Sequence, residues 1–464
     1  MSEDSLGRFG DARLEAVGVA LLSALQTKRT MCVHALGENR SEARRFGRFL
    51  DNDAVSAHEM LVHAGRLTGA RAAGRQVLAI ADSSEVNFAG HAGRKRGFGT
   101  VGNGEDIGVF LHPVIAVDAE QGGLIGLVGA EVMNRTGGKV GPRKQRAADD
   151  KESRRWLTGA ETASVMLEQA AMVTLVEDRE GDIYDQFARC PANVHLLVRA
   201  ARDRALKEGG PRLFERCAGW PVVAHDQITV RHKRDPITKA ERMGRTAVVA
   251  LRFGEVTLRR PGEADHGLPA SMTVRVVDVA ELDPPSPRER IHWCLLTTHQ
   301  MQTAEDARRI VSWYQQRWTI EQVFRTVKSA GMDIETSQLV LAAGFIKLAV
   351  VALIAAVRIM QLVLAREGGT SQRLEDAADP ADLPALQAIN GTLEGRTVKL
   401  KNPFDCRSLA WLAWIAARLG GWSGYTSKGY KPPGPKIMAR GLQRLDPIIE
   451  GWRLANRSAL LGLP

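Results

Sequence analysis

A chain of 464 residues with 44% hydrophobic and 25% charged residues is long enough for a large core, and its composition excludes a disordered, fibrous or disulfide-stapled protein. A net charge of +10 and a pI near 9.5 favour a polyanionic partner, nucleic acid first among them. Cys32, Cys190, Cys217, Cys294 and Cys406 lie far apart with no Cys-x-x-Cys pair, which speaks against a zinc knuckle and for a reducing compartment. The N-terminal residues lack a secretory apolar segment. The greasiest stretch, Leu339 to Leu364, is interrupted by Lys347 and Arg358. The expectation is a buried helix in a soluble, cytoplasmic protein with no membrane partner.

Residues 1–70 read as helical, with apolar positions at Leu14, Val17, Leu21, Leu22 and Leu25 followed by a basic segment carrying Arg40, Arg44, Arg45 and Arg48. Small helical units with clustered arginines commonly dock on DNA, although a solvated helix face has the same composition. From Gln76 the pattern turns to strands: Val77 to Ala81, Ile107 to Val117 and Leu124 to Val132. A helix over Lys151 to Ala170, a strand over Met172 to Val176, a helix from about Ile183 and a strand over Val194 to Val198 complete a mixed α/β sheet with covering helices. Residues about 203–290 alternate in hydrophobicity and read as a β-rich insertion, and Trp293 to Thr297 as the return to the main domain. Thr303 with Asp306 forms a capping box for the helix that follows. The domain expectation is therefore 1–70 helical, 71–371 catalytic with its insertion, and 372–464 helical with a Gly/Lys/Pro-rich loop at Gly424 to Lys436.

That following helix holds the most telling run, Tyr314 to Lys328. Tyr314, Arg317, Glu321 and Lys328 sit at offsets that place them within roughly 60° of one helix face. One carboxylate, two cations and a phenol suit a core seam poorly, but they suit a metal and phosphate oxygens. The plainer reading of the same residues is a solvated face with an Arg317–Glu321 pair.

Asp82 and Asp178 each follow an apolar β run, where side chains project from the carboxyl ends of strands. With Glu321 they make an acidic set able to hold two divalent ions about 3.5–4 Å apart for in-line displacement at phosphorus. Mg²⁺ suits such carboxylates, and Mn²⁺ can substitute for it. Spacing alone does not separate Asp178 from its neighbours Glu177 and Asp182.

With both aspartates and the helix in place, the chain resembles the DDE transposases of the insertion-sequence-four family over nearly its whole length. Asp178-Arg179-Glu180-Gly181-Asp182 looks like that family's DREAD motif with Gly181 in place of Ala. Tyr314, Arg317, Glu321 and Lys328 match the Y-(2)-R-(3)-E-(6)-K signature. Weaker echoes are Arg48-Phe49 ahead of Asn52, Lys151-Glu152-Ser153 before Trp156, and Arg440-Gly441-Leu442.

The resemblance implies a ribonuclease-H-like α/β core with a β-rich insertion, flanked by helical N- and C-terminal domains. It implies Asp82, Asp178 and Glu321 as the metal-binding triad, and Tyr314, Arg317 and Lys328 as phosphate contacts. Trp293 and Trp318 fall where relatives stack or flank an extruded base, Arg199 where they contact phosphate or hairpin, and Arg44 and Arg48 in the end-binding region. The implied partners are duplex DNA, as terminal inverted repeats and as target, and a second copy of the chain in the synaptic complex. A bacterial cytoplasmic protein, at the nucleoid when bound to DNA, follows from the same likeness. Two other readings stay open from sequence: a catalytically silent DNA-binding inhibitor and a nuclease of the same fold.

Overall fold

The computed structural model describes residues 5–102, 104–136, 154–230, 232–234, 241–328, 332–370, 372–425 and 431–460. The stretch Lys151-Glu152-Ser153 and part of the Gly424 to Lys436 loop lie outside the described residues. The chain divides into two compact units: Met1–Val140 with Val165–Met172 and Trp318–Pro464, and Gly141–Ser164 with Val173–Arg317.

The first unit opens with four helices: α1 (Ala12–Lys28), α2 (Val33–Leu36), α3 (Arg40–Asp51) and α4 (Ala57–Ala72). Helix α3 shows why the sequence folds this way. Asn39 caps it by accepting the Glu42 N–H at 3.0 Å, and Ala43, Phe46, Phe49 and Leu50 form its buried stripe. Arg40, Arg44, Arg45 and Arg48 are left on the exposed side. Five strands follow: β1 (Gln76–Ala81), β2 (Ser84–Asn87), β3 (Gly99–Thr100), β4 (Ile107–Asp118) and β5 (Leu124–Met133). All pair antiparallel around the long β4. Helix α4 lies against β5 through Gly65, whose position leaves no room for a Cβ beside the Val128 carbonyl. Thr68 Oγ1 adds a 2.7 Å hydrogen bond to Leu127 O.

The second unit contains α5 (Arg154–Met166, its last two residues belonging to the first unit), β6 (Met172–Glu177), α6 (Tyr184–Arg189) and β7 (His195–Arg199). It continues with α7 (Leu213–Ala218), β8 (Ala224–Val230), a two-stranded β9 (Lys233–Arg234) and β10 (Glu241–Arg242), β11 (Arg245–Arg259), β12 (Ser271–Glu281), β13 (His292–Thr297) and α8 (Ala304–Gln316). Strands β6 and β7 are parallel, joined across α6, as a βαβ crossover requires. From β7 the sheet runs β13–β12–β11–β8, all antiparallel. The β-rich segment expected at about 203–290 therefore extends this sheet, and α7 packs on β11 and β12.

The first unit resumes with α9 (Trp318–Val327), α10 (Ala342–Ala365), α11 (Leu383–Leu393), α12 (Leu409–Leu419) and α13 (Pro435–Leu460). By length and composition α10 could cross a membrane, yet 83% of its most apolar window is buried inside the protein. The two cations that interrupt its apolar run are tethers. Lys347 Nζ donates to Asn52 O at 2.7 Å, and Arg358 reaches Gln26 at 3.2 Å and Asp446 at 3.5 Å. Those partners sit at the end of α3, on α1 and on α13.

Candidate active site

Asp82 lies where a strand breaks. The pairing of β1 with β4 (Ala81↔Val114) and that of β2 with β4 (Ser84↔Leu111) keep one register along the same edge of β4. Carried through, that register sets Asp82 opposite Pro113 and Ser83 opposite His112. Proline has no N–H to give a ladder, so a central strand tolerates it where a ladder bond is missing. The gap is bridged by side chains instead. Asp82 Oδ1 accepts the Ser83 N–H at 2.7 Å, and Ser83 Oγ pairs with His112 Nδ1 at 2.9 Å. The carboxylate is half-buried at this opening.

In the same unit Lys328 Nζ donates to the carbonyl of Glu85, three residues beyond Asp82, and lies 3.6 Å from Glu335. Glu335 in turn accepts the Asn87 N–H at 3.3 Å. The signature lysine is thereby held against the strand that leaves Asp82. Glu321 is half-buried in the first turn of α9, and Trp318 at the start of that helix is 44% exposed.

The second unit gathers the other candidates. Asp178 caps the 3₁₀ turn Arg179–Gly181, its Oδ1 accepting the Glu180 N–H at 2.7 Å, and it stays half-buried. Burial pushes the Tyr314 hydroxyl above its ordinary pKa, opposed by the charges of Arg317 and Arg199 and reinforced by that of Asp178. Arg199 lies near enough to the Tyr314 hydroxyl for its charge to act on it, and donates from Nη2 to His292 O at 2.8 Å. Burial lowers its guanidinium pKa, and the charges of Arg179 and Arg317 act in the same direction. The Trp293 ring meets Tyr314 edge-on at 5.4 Å. One carboxylate, two arginines, a phenol and an indole are thus brought together in this unit.

The structure separates the three acids that spacing could not. Glu177 is fully buried and accepts from Gln186 Nε2 at 2.9 Å. Burial, then the neighbouring Asp178, raises its pKa well above the usual carboxylate range despite Arg155 and Gln186. Asp182 is also buried, accepting from the Ala201 and Arg202 N–H groups and pairing with Arg204. Only Asp178 of the three reaches the surface. Gly181 follows from the same packing, since a Cβ there would stand 2.3 Å from Glu177 Oε2. The one departure from the DREAD pattern therefore accommodates the buried Glu177.

The run Tyr314 to Lys328 is carried by two helices rather than one. Helix α8 ends at Gln316, and the Arg317 N–H bonds back three residues to Tyr314 O at 3.1 Å, a tighter turn that separates α8 from α9. Lys328 follows the last residue of α9, and Tyr314 is only 6% exposed. The Thr303–Asp306 capping box is present as read. Arg44 and Arg48 are exposed on α3, outside both groups described above.

Sequence reasoning missed the network behind Arg199. Asp278, nearly buried, pairs with His292 Nε2 at 2.7 Å and Arg252 Nη1 at 3.4 Å, fixing the residue whose carbonyl holds Arg199. It also missed the Asp82 gap, for which Pro113 inside an apolar strand was the available signal. Among the described residues no group of three or more His, Cys, Asp or Glu side chains stands ready-made for a metal. The donor chemistry nevertheless suits a hard divalent ion: Asp82, Asp178 and Glu321 are half-buried carboxylates.

Residues 73–357 match the family model described as the transposase DDE domain. The match covers more than half of the chain and includes both strand-end aspartates and the whole Tyr314 to Lys328 run. The chain belongs to this family, and its mixed α/β architecture is consistent with a ribonuclease-H-like domain.

Proposed function

We propose that this member of the transposase DDE family performs cut-and-paste transposition as an insertion-sequence-four-type enzyme, with Asp82, Asp178 and Glu321 as its acidic triad. The observation that carries the reading is the setting of Asp178: a half-buried carboxylate whose charge, with those of Arg199 and Arg317, acts on the Tyr314 hydroxyl. Carboxylates beside preorganised cations suit phosphoryl transfer, in which negative charge spreads over the phosphate oxygens. The three acids would hold Mg²⁺, or Mn²⁺ in its place. When bound, such an ion polarises the phosphate and makes water or a hydroxyl a stronger nucleophile.

The residues divide the remaining work. Tyr314, Arg317 and Lys328 grip phosphates next to the scissile bond. Lys328 has three ammonium donors, so engaging the Glu85 carbonyl leaves others for a phosphate oxygen. Water attacks phosphorus at the transposon end, the P–O3′ bond breaks and a 3′-hydroxyl is released. That hydroxyl attacks phosphorus in the opposite strand and closes a hairpin as the flanking DNA leaves on its 3′-oxygen; water then breaks the new P–O3′ bond and restores the hydroxyl, which attacks target phosphorus and displaces a target 3′-oxygen. Trp293, already against Tyr314, stacks an extruded base in the hairpin, with Trp318 as a second exposed indole and Arg199 on the bent backbone. Arg44 and Arg48, with Arg40 and Arg45, bind the terminal inverted repeat from α3. Two copies of the chain act together on two ends, in the cytoplasm.

The test uses purified full-length protein, end-containing duplex and Mg²⁺. Asp82→Ala, Asp178→Ala and Glu321→Ala should each abolish cleavage while end binding survives, because affinity comes mainly from cation–phosphate contacts. Comparable cleavage by any one variant, at equal folding, removes that residue from the triad. Binding without cleavage by the wild type would make the chain a silent regulator, and cleavage without joining a nuclease.

A further inference from the structure

The first unit also holds a concentration of positive charge at residues the sites above do not use. A cavity of about 350 Å³ is lined by the end of α1, the turn after α9 and the first turns of α13. Arg29, Lys436 and Arg440 line it together with Lys28, against a single carboxylate, Asp333. Lys28 is matched by Glu38 at 2.8 Å, and Lys436 and Arg440 are the exposed cations of the wall beside Asp333. Burial and then the charge of Arg440 lower the Arg29 pKa, which places two guanidinium groups near enough to repel. Thr27 and Gln443 complete a wall with no aromatic or aliphatic side chain. Such a wall offers nothing to an acyl chain and much to a phosphate.

The backbone marks the same place independently. Arg29 (φ 52°) and Asp333 (φ 56°) are the only non-glycine residues of positive φ among the described residues, and both line this cavity. The left-handed region is uncommon for residues with a Cβ, and held outliers cluster at ligand sites. The Arg29 N–H closes α1 onto Leu25 O at 3.1 Å, and the Asp333 N–H donates to Lys328 O at 2.9 Å. The cavity wall and the signature lysine therefore share one turn. Lys436, Arg440 and Asp333 are exposed, so a strand can lie across the opening.

We propose that this cavity is a second phosphate site, which takes a backbone phosphodiester of duplex DNA away from the scissile bond through Arg29, Lys436 and Arg440. The choice of DNA as the source rests on the transposase reading, but the site does not depend on catalysis. The exposed arginine row of α3 belongs to the same unit.

The experiment measures duplex binding by the full chain against salt concentration, without divalent ions. The wild type is compared with Lys436→Gln/Arg440→Gln, both at exposed positions, and with Arg29→Gly, which keeps the left-handed backbone available. The log–log slope should shrink by about one for each phosphate contact removed. Wild-type slopes in both test variants, at unchanged melting temperature, overturn the proposal. Thermal shift with orthophosphate separates the sources: stabilisation lost in the variants, with an unchanged DNA slope, assigns the cavity to free phosphate and overturns the DNA assignment. A wild type that binds no duplex overturns the transposase reading too, whereas duplex binding with unchanged slopes overturns this site alone.

Discussion

Asp82 and Asp178 both end an apolar strand half-exposed, but the chain frees them by different means. At Asp82 the device is an interruption. One register runs through β1 and β2 along β4, and the ladder opens where Pro113 stands opposite, with Ser83 and His112 bridging the gap. At Asp178 the device is compression. Strand β6 turns sharply because Glu177 is buried beneath Gly181 and Asp182 is locked to Arg204 and two backbone amides. The first exit relies on a hydrogen bond that proline cannot give, the second on buried polar groups: Asp182, paired with Arg204 and two backbone amides, and Glu177, held by Gln186 through one oxygen. A substitution near Asp178 should therefore harm the fold more than one near Asp82.

The largest effect expected from that contrast is at Asp182. Asp182→Ala leaves Arg204 buried without its partner and should cost about 3–5 kcal/mol in chemical denaturation. Asp178→Ala should change stability by about 1 kcal/mol or less while ending cleavage. Equal stability losses for the two would erase the distinction between support and site.

Next is Gly181→Ala, whose methyl group meets Glu177 Oε2 and should destabilise by about 1–3 kcal/mol. Adding Glu177→Ala should restore part of that loss, since the carboxylate goes while the residue 177 Cβ, 2.7 Å away, stays. A strictly additive double-mutant cycle would mean that the methyl is accommodated some other way.

The pH dependence of the Asp178 strand comes third. His299 Nε2 bonds Thr174 Oγ1 of β6 at 2.8 Å and the ring stacks on His195 at 4.0 Å. Burial, with the nearby His195 and Arg309, lowers the His299 pKa from 6.5 to about 3. The folded state then binds fewer protons than the unfolded one between those values. The contribution is complete above pH 6.5 and is lost as the pH falls towards 3, by at most about 1.4 kcal/mol per pH unit. Urea midpoints at pH 7 and pH 5 should differ more in the wild type than in His299→Gln, and parallel shifts would place the titrating group elsewhere.

The smallest effect lies at the other exit. Ser83→Ala removes the bridge to His112 and should cost about 0.5–1.5 kcal/mol, with end binding intact. A loss as large as that of Asp182→Ala would show that the Asp82 gap is held as tightly as the Asp178 turn.

Much of this was legible in the chain itself. The length of the apolar runs and the polar or turn residues that bound them place β1, β4, β5, β6, β7 and β13 within a residue or two of their observed ends, because strands buried on both faces read as nearly unbroken apolar runs. The Thr303–Asp306 box and the buried α10 are local signals of the same kind. The short β2 escaped notice because four residues carry too little pattern. The break at Arg317 escaped because helical spacing is silent about where one backbone bond shifts from i−4 to i−3.

Residue order alone tells which acids follow strands, where the tyrosine–lysine run lies and to which family the chain belongs. Which of Glu177, Asp178 and Asp182 faces solvent was decided only by tertiary structure. So were the partnering of Arg199 with Tyr314 and the meeting of Arg29 with Arg440 at one cavity. Exposure and charge environment depend on groups far away in the chain, such as Gln186, Arg204, His292 and α13, and no local pattern carries their positions.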